Sequence, residues 1–195
     1  MYVNKKEERT AQTRQLLEGV ARELFEARGF TAISADEIVA RAGLTRGALY
    51  YHYNGKEGLF EAVVEAAMQR LHAAIAKAGS AASDPVSALK LGVRCFLKLG
   101  VAPGTQRILF IDAPVVMGWQ RWRELDGRYG FGMLQQVVSQ AMASGQMREQ
   151  PVALVAHLLL SAMIEAAMVI ARADQKPAVR ADTERLLDQF VDSLR

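Results

Sequence analysis

Apolar residues recur at helical spacing along the first third of the chain. Over residues 10–28 they fall three or four positions apart, and Gly29 follows as a helix stop. Ser34 and Glu37 have the spacing of a capping box, with Ser34 as the N-cap and Glu37 as the N3 residue. This pattern predicts helix 1 over 10–28 and helix 2 from Ala35 onward.

Helix 2 is predicted to be barely two turns long. Gly43 offers the positive φ that a sharp turn between two helices requires. Thr45 is placed to cap helix 3, which runs to Tyr53, and Asn54 is placed to cap helix 4 over 55–78. Three helices, the last two joined by a tight glycine turn, have the spacing of a helix-turn-helix unit.

A small, polar stretch over residues 79–85 separates this segment from the rest of the chain. It ends in an Asp-Pro pair, which suits the first positions of a new helix. We therefore expect a helix-turn-helix domain at 1–55 and a second domain at 79–195, with helix 4 connecting them. Ile108–Ile111 is strand-like in composition, but its surroundings are helical, so the predicted fold is all-α. The helical patterns of the second domain lie near 85–100, 103–113, 118–145, 151–173 and 178–194.

Composition and charge exclude few classes of function. With 51% hydrophobic residues the chain can bury a core, and its formal charge of +3 is compatible with a polyanionic partner without requiring one. Cys95 is the single cysteine, which excludes an internal disulfide and suggests a reducing compartment.

No segment for export or membrane insertion is expected. The N-terminus lacks the apolar core of a signal peptide. Residues 152–171 approach membrane-spanning length, but the polar residues in the middle of the run would be costly in hydrocarbon. We expect a buried helix there and a cytoplasmic protein.

Helix 3 exposes chemistry suited to a DNA groove. Its N-terminus presents unpaired N–H groups to phosphate, and Arg46 can grip guanine O6 and N7 with two hydrogen bonds. Gly47 permits close approach, while Tyr50 and His52 can donate to phosphate oxygens. The alternative for Arg46 is a solvated side chain. For the tyrosines it is packing between helices, which we favour at Tyr53.

These residues closely resemble the N-terminal domain of the TetR family of transcriptional regulators. The resemblance begins in the helix 1 segment Ala21–Phe25 and continues through Thr31–Ser34 and Ala42–Gly47 to Tyr50–Tyr53 and Lys56–Phe60. It implies DNA contacts from the recognition helix, from its aromatic end and from the lysine that starts helix 4. With two predicted cap residues and a basic residue of helix 1, the expected DNA-binding set is Arg14, Ser34, Thr45, Arg46, Gly47, Tyr50, Tyr51, His52 and Lys56.

The same resemblance implies a divergent helical C-terminal domain that binds a small ligand and dimerises. Large, adaptable and mostly apolar side chains are common in residues 85–195, as in the wall of a ligand pocket. Core packing is the alternative for most of them. The candidate ligand-binding residues of this kind are Phe96, Phe110, Met117, Trp119, Trp122 and Met133.

A polar stripe crosses the most apolar predicted helix. His157, Ser161 and Glu165 repeat every four residues and therefore share one face. If this face is buried, the three side chains need partners, which could be polar groups of another helix, the same stripe across a twofold axis, or a small-molecule effector. We include all three residues among the ligand-binding candidates.

The last two helices are predicted to form a homodimer interface, in keeping with the resemblance. Helix 178–194 carries its apolar residues on one side and its charges on the other. Pairing of these helices with their twofold copies would give a four-helix interface. It would also place two DNA-reading heads, the helix-turn-helix domains (residues 1–55) of the two chains, on a palindromic operator.

The predicted function is therefore a DNA-binding repressor that a small hydrophobic effector releases from its operator, with activation remaining possible. A DNA-binding regulator without a small-molecule ligand is the alternative. An enzyme is disfavoured, because His52, His72, His157 and Cys95 form no recognisable constellation with the acidic residues, and His72 is expected beside solvated charges on helix 4. We also expect no metal and no cofactor.

Overall fold

The computed structural model describes residues 5–173 and 176–195, and the regular elements among them are all helical. Residues 1–4, with which the predicted first domain begins, lie outside the described residues. The elements are α1 (Lys5–Arg28), α2 (Ala35–Ala42), α3 (Arg46–Tyr53), α4 (Lys56–Gly79), α5 (Pro85–Gly100), α6 (Pro103–Gln106), π1 (Arg107–Asp112), α7 (Ala113–Val116), α8 (Trp119–Asp126), π2 (Gly127–Phe131), α9 (Gly132–Ala143), α10 (Val152–Arg172) and α11 (Pro177–Ser193).

Most predicted helix boundaries are confirmed to within a residue or two. Helix 1 is longer than predicted, because its first turns, from Lys5, are polar and carry no apolar period. The prediction for Asn54 is wrong. It ends α3 in the left-handed conformation (φ 57°), donating its backbone N–H to the carbonyl of Tyr50, and α4 begins at Lys56. Asparagine tolerates this conformation better than most residues, so it serves as a C-cap here.

Two helices predicted as continuous are interrupted by π-helical turns. The pattern over 103–113 divides into α6, π1 and the start of α7, and the pattern over 118–145 divides into α8, π2 and α9. Ile108–Ile111 lies within π1, with Ile108 and Leu109 buried and Ile111 45% exposed, so its strand-like composition does not correspond to extended backbone. π-helical turns inside α-helices are rare and are frequent at functional sites.

The chain forms two compact units whose limits differ from the predicted domain limits. Of the described residues, unit 1 comprises those up to Ala67 together with Arg107–Trp122, and unit 2 comprises Met68–Gln106 and those from Arg123 to Arg195. In unit 1 an aromatic cluster fills the core, where Phe25 lies 5.2 Å and Phe30 4.9 Å from the ring centre of Phe60. All three rings are buried.

Unit 2 is built on α5, which packs against α9, α10 and α11. Two ion pairs join α5 to α11, from Lys90 to Asp192 and from Arg94 to Asp188. Although α10 is long and apolar enough to cross a membrane, eight of its residues are buried against the neighbouring helices of the unit. It is therefore a core helix with one uncovered face.

Candidate nucleic-acid interface

The turn and caps that hold α3 are those predicted from the sequence. Gly43 ends α2 with a φ of 64°, and Thr45 begins α3 by accepting a hydrogen bond (3.2 Å) from the backbone N–H of Ala48. Ser34 caps α2 in the same way, accepting from the backbone N–H of Glu37 at 3.1 Å. Because both hydroxyls are committed to caps, Ser34 and Thr45 fix the two helices that would enter or flank a groove.

One face of α3 is buried and the other is exposed. Leu49 is fully buried in unit 1, whereas Tyr50 is 50% and Tyr51 77% exposed. Gly47 is also exposed, and a Cβ added to it would meet nothing nearer than the Thr45 hydroxyl at 3.7 Å. Glycine here therefore serves no packing need of the single chain. An uncovered, polar and aromatic helix face of this kind fits the major groove of DNA.

Arg46 stands at the exposed start of this face with one weak tie. Its guanidinium lies 3.3 Å from the carboxylate of Asp36, and both side chains are more than half exposed. Exposed ion pairs contribute at most about 1 kcal/mol, so Arg46 can leave Asp36 at little cost. The sequence did not point to Asp36, which lies ten positions earlier on α2.

Tyr53, the last residue of α3, is buried and packs against α1, in line with the predicted packing between helices. Its hydroxyl donates to the carboxylate of Glu18 (2.6 Å) and accepts a hydrogen bond from Arg14. Burial, followed by the hydrogen bond to Glu18, raises the pKa of Tyr53 to about 12. Arg14 is therefore held against Tyr53 on the exposed surface of α1, and its predicted DNA contact remains a prediction. His52 is half-buried, with its ring edge-on to Tyr51.

Lys56 has partners within unit 1 that the sequence did not predict. Its ammonium donates to the carbonyl oxygens of Phe30 (3.1 Å) and Ile33 (2.9 Å) and lies 3.8 Å from the centre of the Phe30 ring. These contacts bind the α1–α2 loop to the start of α4. They supply a structural role, and the phosphate contact expected of Lys56 remains a prediction.

Replacing Lys56 by alanine should lower the free energy of unfolding of unit 1 by about 2 kcal/mol, because two charge-assisted hydrogen bonds and a cation–π contact are lost. Both tryptophans of the chain, Trp119 and Trp122, lie in unit 1, so tryptophan fluorescence during urea unfolding reports on this unit. Arg9→Ala, which removes a cation from an exposed position of α1 in the same unit, is the matched control. Equal unfolding midpoints for the two variants would contradict the structural role.

The candidate ligand-binding residues do not gather in one unit. Phe110, Met117, Trp119 and Trp122 belong to unit 1, whereas Phe96 and Met133 belong to unit 2. Trp122 is buried and donates its indole N–H to the carbonyl of Leu109 at 2.9 Å, while Trp119 is 64% exposed. The structure thus gives Trp122 a packing role, and ligand binding by this set stays a prediction.

The polar stripe of α10 is exposed in the single chain, so other helices of the same chain do not cover it. His157, Ser161 and Glu165 all lie on the uncovered face of the helix. The His157 ring stacks on Phe131, with centres 4.1 Å apart, and Glu165 pairs with Arg172 at 3.3 Å. Helical periodicity identified the shared face correctly, but it could not show what covers that face.

Unit 2 instead holds two titratable groups, Asp126 and His72, that the sequence did not bring together. Asp126 is 8% exposed and accepts one long hydrogen bond (3.5 Å) from Arg123, and burial raises its pKa to about 6. His72, expected beside solvated charges, is half-buried in parallel stacking with Tyr129, and burial lowers its pKa to about 4. Both groups lie against Gly130 of π2, because a Cβ added there would be 2.8 Å from His72 and 3.3 Å from Asp126.

These shifts predict opposing pH effects on the stability of unit 2. Between pH 6 and 4 the folded state protonates Asp126 before the unfolded state does, so acidification stabilises it. Between pH 6.5 and 4 only the unfolded state protonates His72, so acidification destabilises the folded state. Each effect amounts to at most about 3 kcal/mol. We expect Asp126→Asn to lose stability toward pH 4 more steeply than the wild type and His72→Gln to gain it, as measured by calorimetry.

Asp182→Asn, an exposed carboxylate of α11, is the control for this experiment and should follow the wild-type pH profile. Parallel pH profiles for the wild type and all three variants would contradict the pKa shifts assigned to Asp126 and His72. Among the described residues, no group of three histidine, cysteine, aspartate or glutamate side chains is placed to hold a metal ion.

Two family models match most of the chain. The model described as bacterial regulatory proteins, tetR family, matches residues 19–63, and the model described as tetracyclin repressor-like, C-terminal domain, matches residues 86–194. The first match contains α2, α3 and the start of α4, together with the exposed face described above.

Individual proteins agree with these models. The transposon Tn10 TetC protein of Escherichia coli is 26% identical over 145 residues, covering 74% of this chain and 73% of that protein. The HTH-type transcriptional regulator SrpR of Pseudomonas putida is 43% identical over 53 residues, which span 27% of this chain and only 25% of SrpR. A crystal structure of a TetR-family transcriptional regulator from Pectobacterium atrosepticum aligns with a TM-score of 0.82 at 28% identity, covering 98% of this chain and 97% of that one.

Proposed function

Since the chain belongs to the TetR family of transcriptional regulators, we propose that it represses its target genes from a palindromic operator and is released by a small hydrophobic effector. The observation that carries DNA binding is the exposed face of α3, on which Arg46, Gly47 and the two tyrosines are uncovered while Leu49 fills the core. In this proposal Arg46 reads guanine and the remaining residues contact the phosphate backbone.

A homodimer through α10 and α11 supports reading of two half-sites. On α10, Leu154 is 57% and Leu158 55% exposed, and on α11 Leu186 is 60% exposed. Ser161 and Glu165 continue the line of the two leucines at helical spacing. Exposed leucines beside a polar stripe suit a self-complementary interface, in which each stripe would meet its twofold copy. The exposure of the stripe therefore favours the dimer over the ligand as its partner.

Release by an effector would work by population shift. In one conformation of the dimer the two heads match the spacing of the half-sites, and in another they do not. A ligand that binds more tightly to the second conformation lowers the affinity for the operator, at most by the ratio of its affinities for the two conformations. Helix α4 begins in unit 1 and ends in unit 2, so a change in unit 2 has a continuous helix along which to act. Such a repressor would act in the cytoplasm, where the DNA lies.

The proposal is tested by selecting bound fragments from randomised and genomic DNA and then adding fatty acids, phenols and planar cationic dyes as separate effector panels. We expect a palindromic site and release by members of at least one panel. Selection of no site would overturn the proposal at its base. A site that no small molecule releases would leave a DNA-binding regulator controlled by protein partner or by its own level.

A further inference from the structure

One segment of the C-terminal half belongs structurally to the DNA-binding unit. Arg107–Trp122 lies in unit 1, although the residues on both sides of it in the chain, Gln106 and Arg123, belong to unit 2. The segment contains π1, α7 and the start of α8. It is therefore covalently tied at both ends to the unit in which an effector would bind.

Two side chains of π1 clasp the end of α1. Arg107 donates from Nη1 to the carbonyl oxygen of Ala27 (2.5 Å) and more weakly to that of Glu26 (3.5 Å). The carboxylate of Asp112 accepts the backbone N–H of Phe30 at 2.8 Å. The last carbonyls of a helix carry partial negative charge and lack partners within the helix, so a guanidinium is well matched to them.

Gly29 is the residue that allows this close approach. Its φ is 81°, and a Cβ at this position would lie 3.3 Å from the Asp112 carboxylate and 3.6 Å from Cδ of Arg107. Both the left-handed backbone and the absence of a side chain are therefore used, because the chain turns directly under the clasp.

The clasp acts on the loop that sets α2 and α3. Phe30 has its N–H held by Asp112 of π1 and its carbonyl held by Lys56 of α4. Four residues later Ser34 caps α2, which is followed by the Gly43 turn and the exposed face of α3. A shift of the Phe30 peptide would therefore be passed to the start of α2.

The segment that carries the clasp is itself anchored within unit 1. Trp122 donates its indole N–H to the carbonyl of Leu109 in π1 at 2.9 Å, and Arg121 donates from Nε to the carboxylate of Glu61 on α4 at 2.7 Å. The C-terminal end of the segment is thus tied to α4 and bonded back to π1, which gives Arg107 and Asp112 a stable base from which to hold the loop.

We propose that Arg107 and Asp112 are positioning residues for operator binding, and that through them the C-terminal half sets the geometry of the DNA-reading head. The inference rests on the proposed DNA binding. Neither residue touches DNA in this scheme. They hold the Phe30 peptide in place, and a rearrangement of unit 2 that pulls on Gln106 or Arg123 would reach the head through π1.

The test compares Arg107→Ala, Asp112→Ala and Asp112→Asn with the wild type on its selected operator. Asp112→Asn keeps a carbonyl acceptor for the Phe30 N–H, and Val115→Ala, at an 81% exposed position of the same segment, is the matched control. We expect operator binding by the two alanine variants of the clasp to weaken about fivefold or more. Asp112→Asn should retain most of the affinity, and Val115→Ala should match the wild type.

Reciprocal coupling separates positioning from simple destabilisation. Saturating operator DNA should change hydrogen exchange in π2 and the end of α8, both in unit 2, in the wild type but not in Arg107→Ala or Asp112→Ala. Wild-type affinity in both alanine variants, or DNA-induced changes that persist in unit 2 of these variants, would overturn the inference. Failure of the wild type to bind any operator would instead overturn the proposed function.

Discussion

Replacing Arg46 by alanine is expected to lower affinity for the operator by about 30-fold or more while nonspecific binding to random DNA falls much less. A bidentate contact between arginine and guanine discriminates against other bases by about 1–3 kcal/mol, and a dimer would lose one such contact at each half-site. The fold should persist, because Arg46 is more than half exposed and its partner in the structure is the equally exposed Asp36. Fluorescence anisotropy with operator and scrambled duplexes at one fixed salt concentration measures the ratio of operator affinity to nonspecific affinity.

Two further substitutions distinguish base reading from charge. Arg46→Lys keeps the charge but not the paired donors, so it should restore nonspecific affinity without restoring discrimination. Arg41→Ala removes the same charge from exposed Arg41 of α2, which pairs with Glu23 at 3.1 Å, and should leave discrimination intact. An unchanged ratio of operator to random binding in Arg46→Ala would refute the role of Arg46.

The parts of the DNA-binding unit that were predictable from sequence are those set by neighbours along the chain. Ser34 and Thr45 bond to amides three residues ahead, and Gly43 satisfies a local backbone conformation. Such signals need no tertiary context. The error at Asn54 has the same origin, since asparagine is favoured both before a helix and after one, and the local pattern does not decide between them.

Contacts between distant residues were not predictable. Asp112 reaches the Phe30 amide across 82 positions, and its neighbours in sequence form an ordinary apolar run. The same holds for Asp126 and His72, which are far apart in sequence and yet both border Gly130 of π2. The stripe of α10 shows the complementary limit, because periodicity gives the face of a helix and not the surface that it meets.

Leu158→Glu is expected to convert the protein to a monomer at micromolar concentration and to reduce operator affinity by about 100-fold or more. Leu158 is 55% exposed at the middle of the uncovered face of α10, beside Ser161 and within two turns of Glu165. Across a twofold axis the new carboxylate would lose solvent close to like charges, which costs several kcal/mol. Light scattering reports the mass, and anisotropy on full and half operators reports the affinity.

The control must place the same charge on an exposed apolar residue outside the proposed interface. Val115→Glu does so, since Val115 is 81% exposed on α7, and we expect it to remain dimeric. A monomer formed by Leu158→Glu should bind full and half operators with similar affinity, because its single recognition helix can occupy only one half-site at a time. If Leu158→Glu stays dimeric with wild-type affinity, the twofold contact does not lie on this face of α10, and the exposed stripe must then face some other partner.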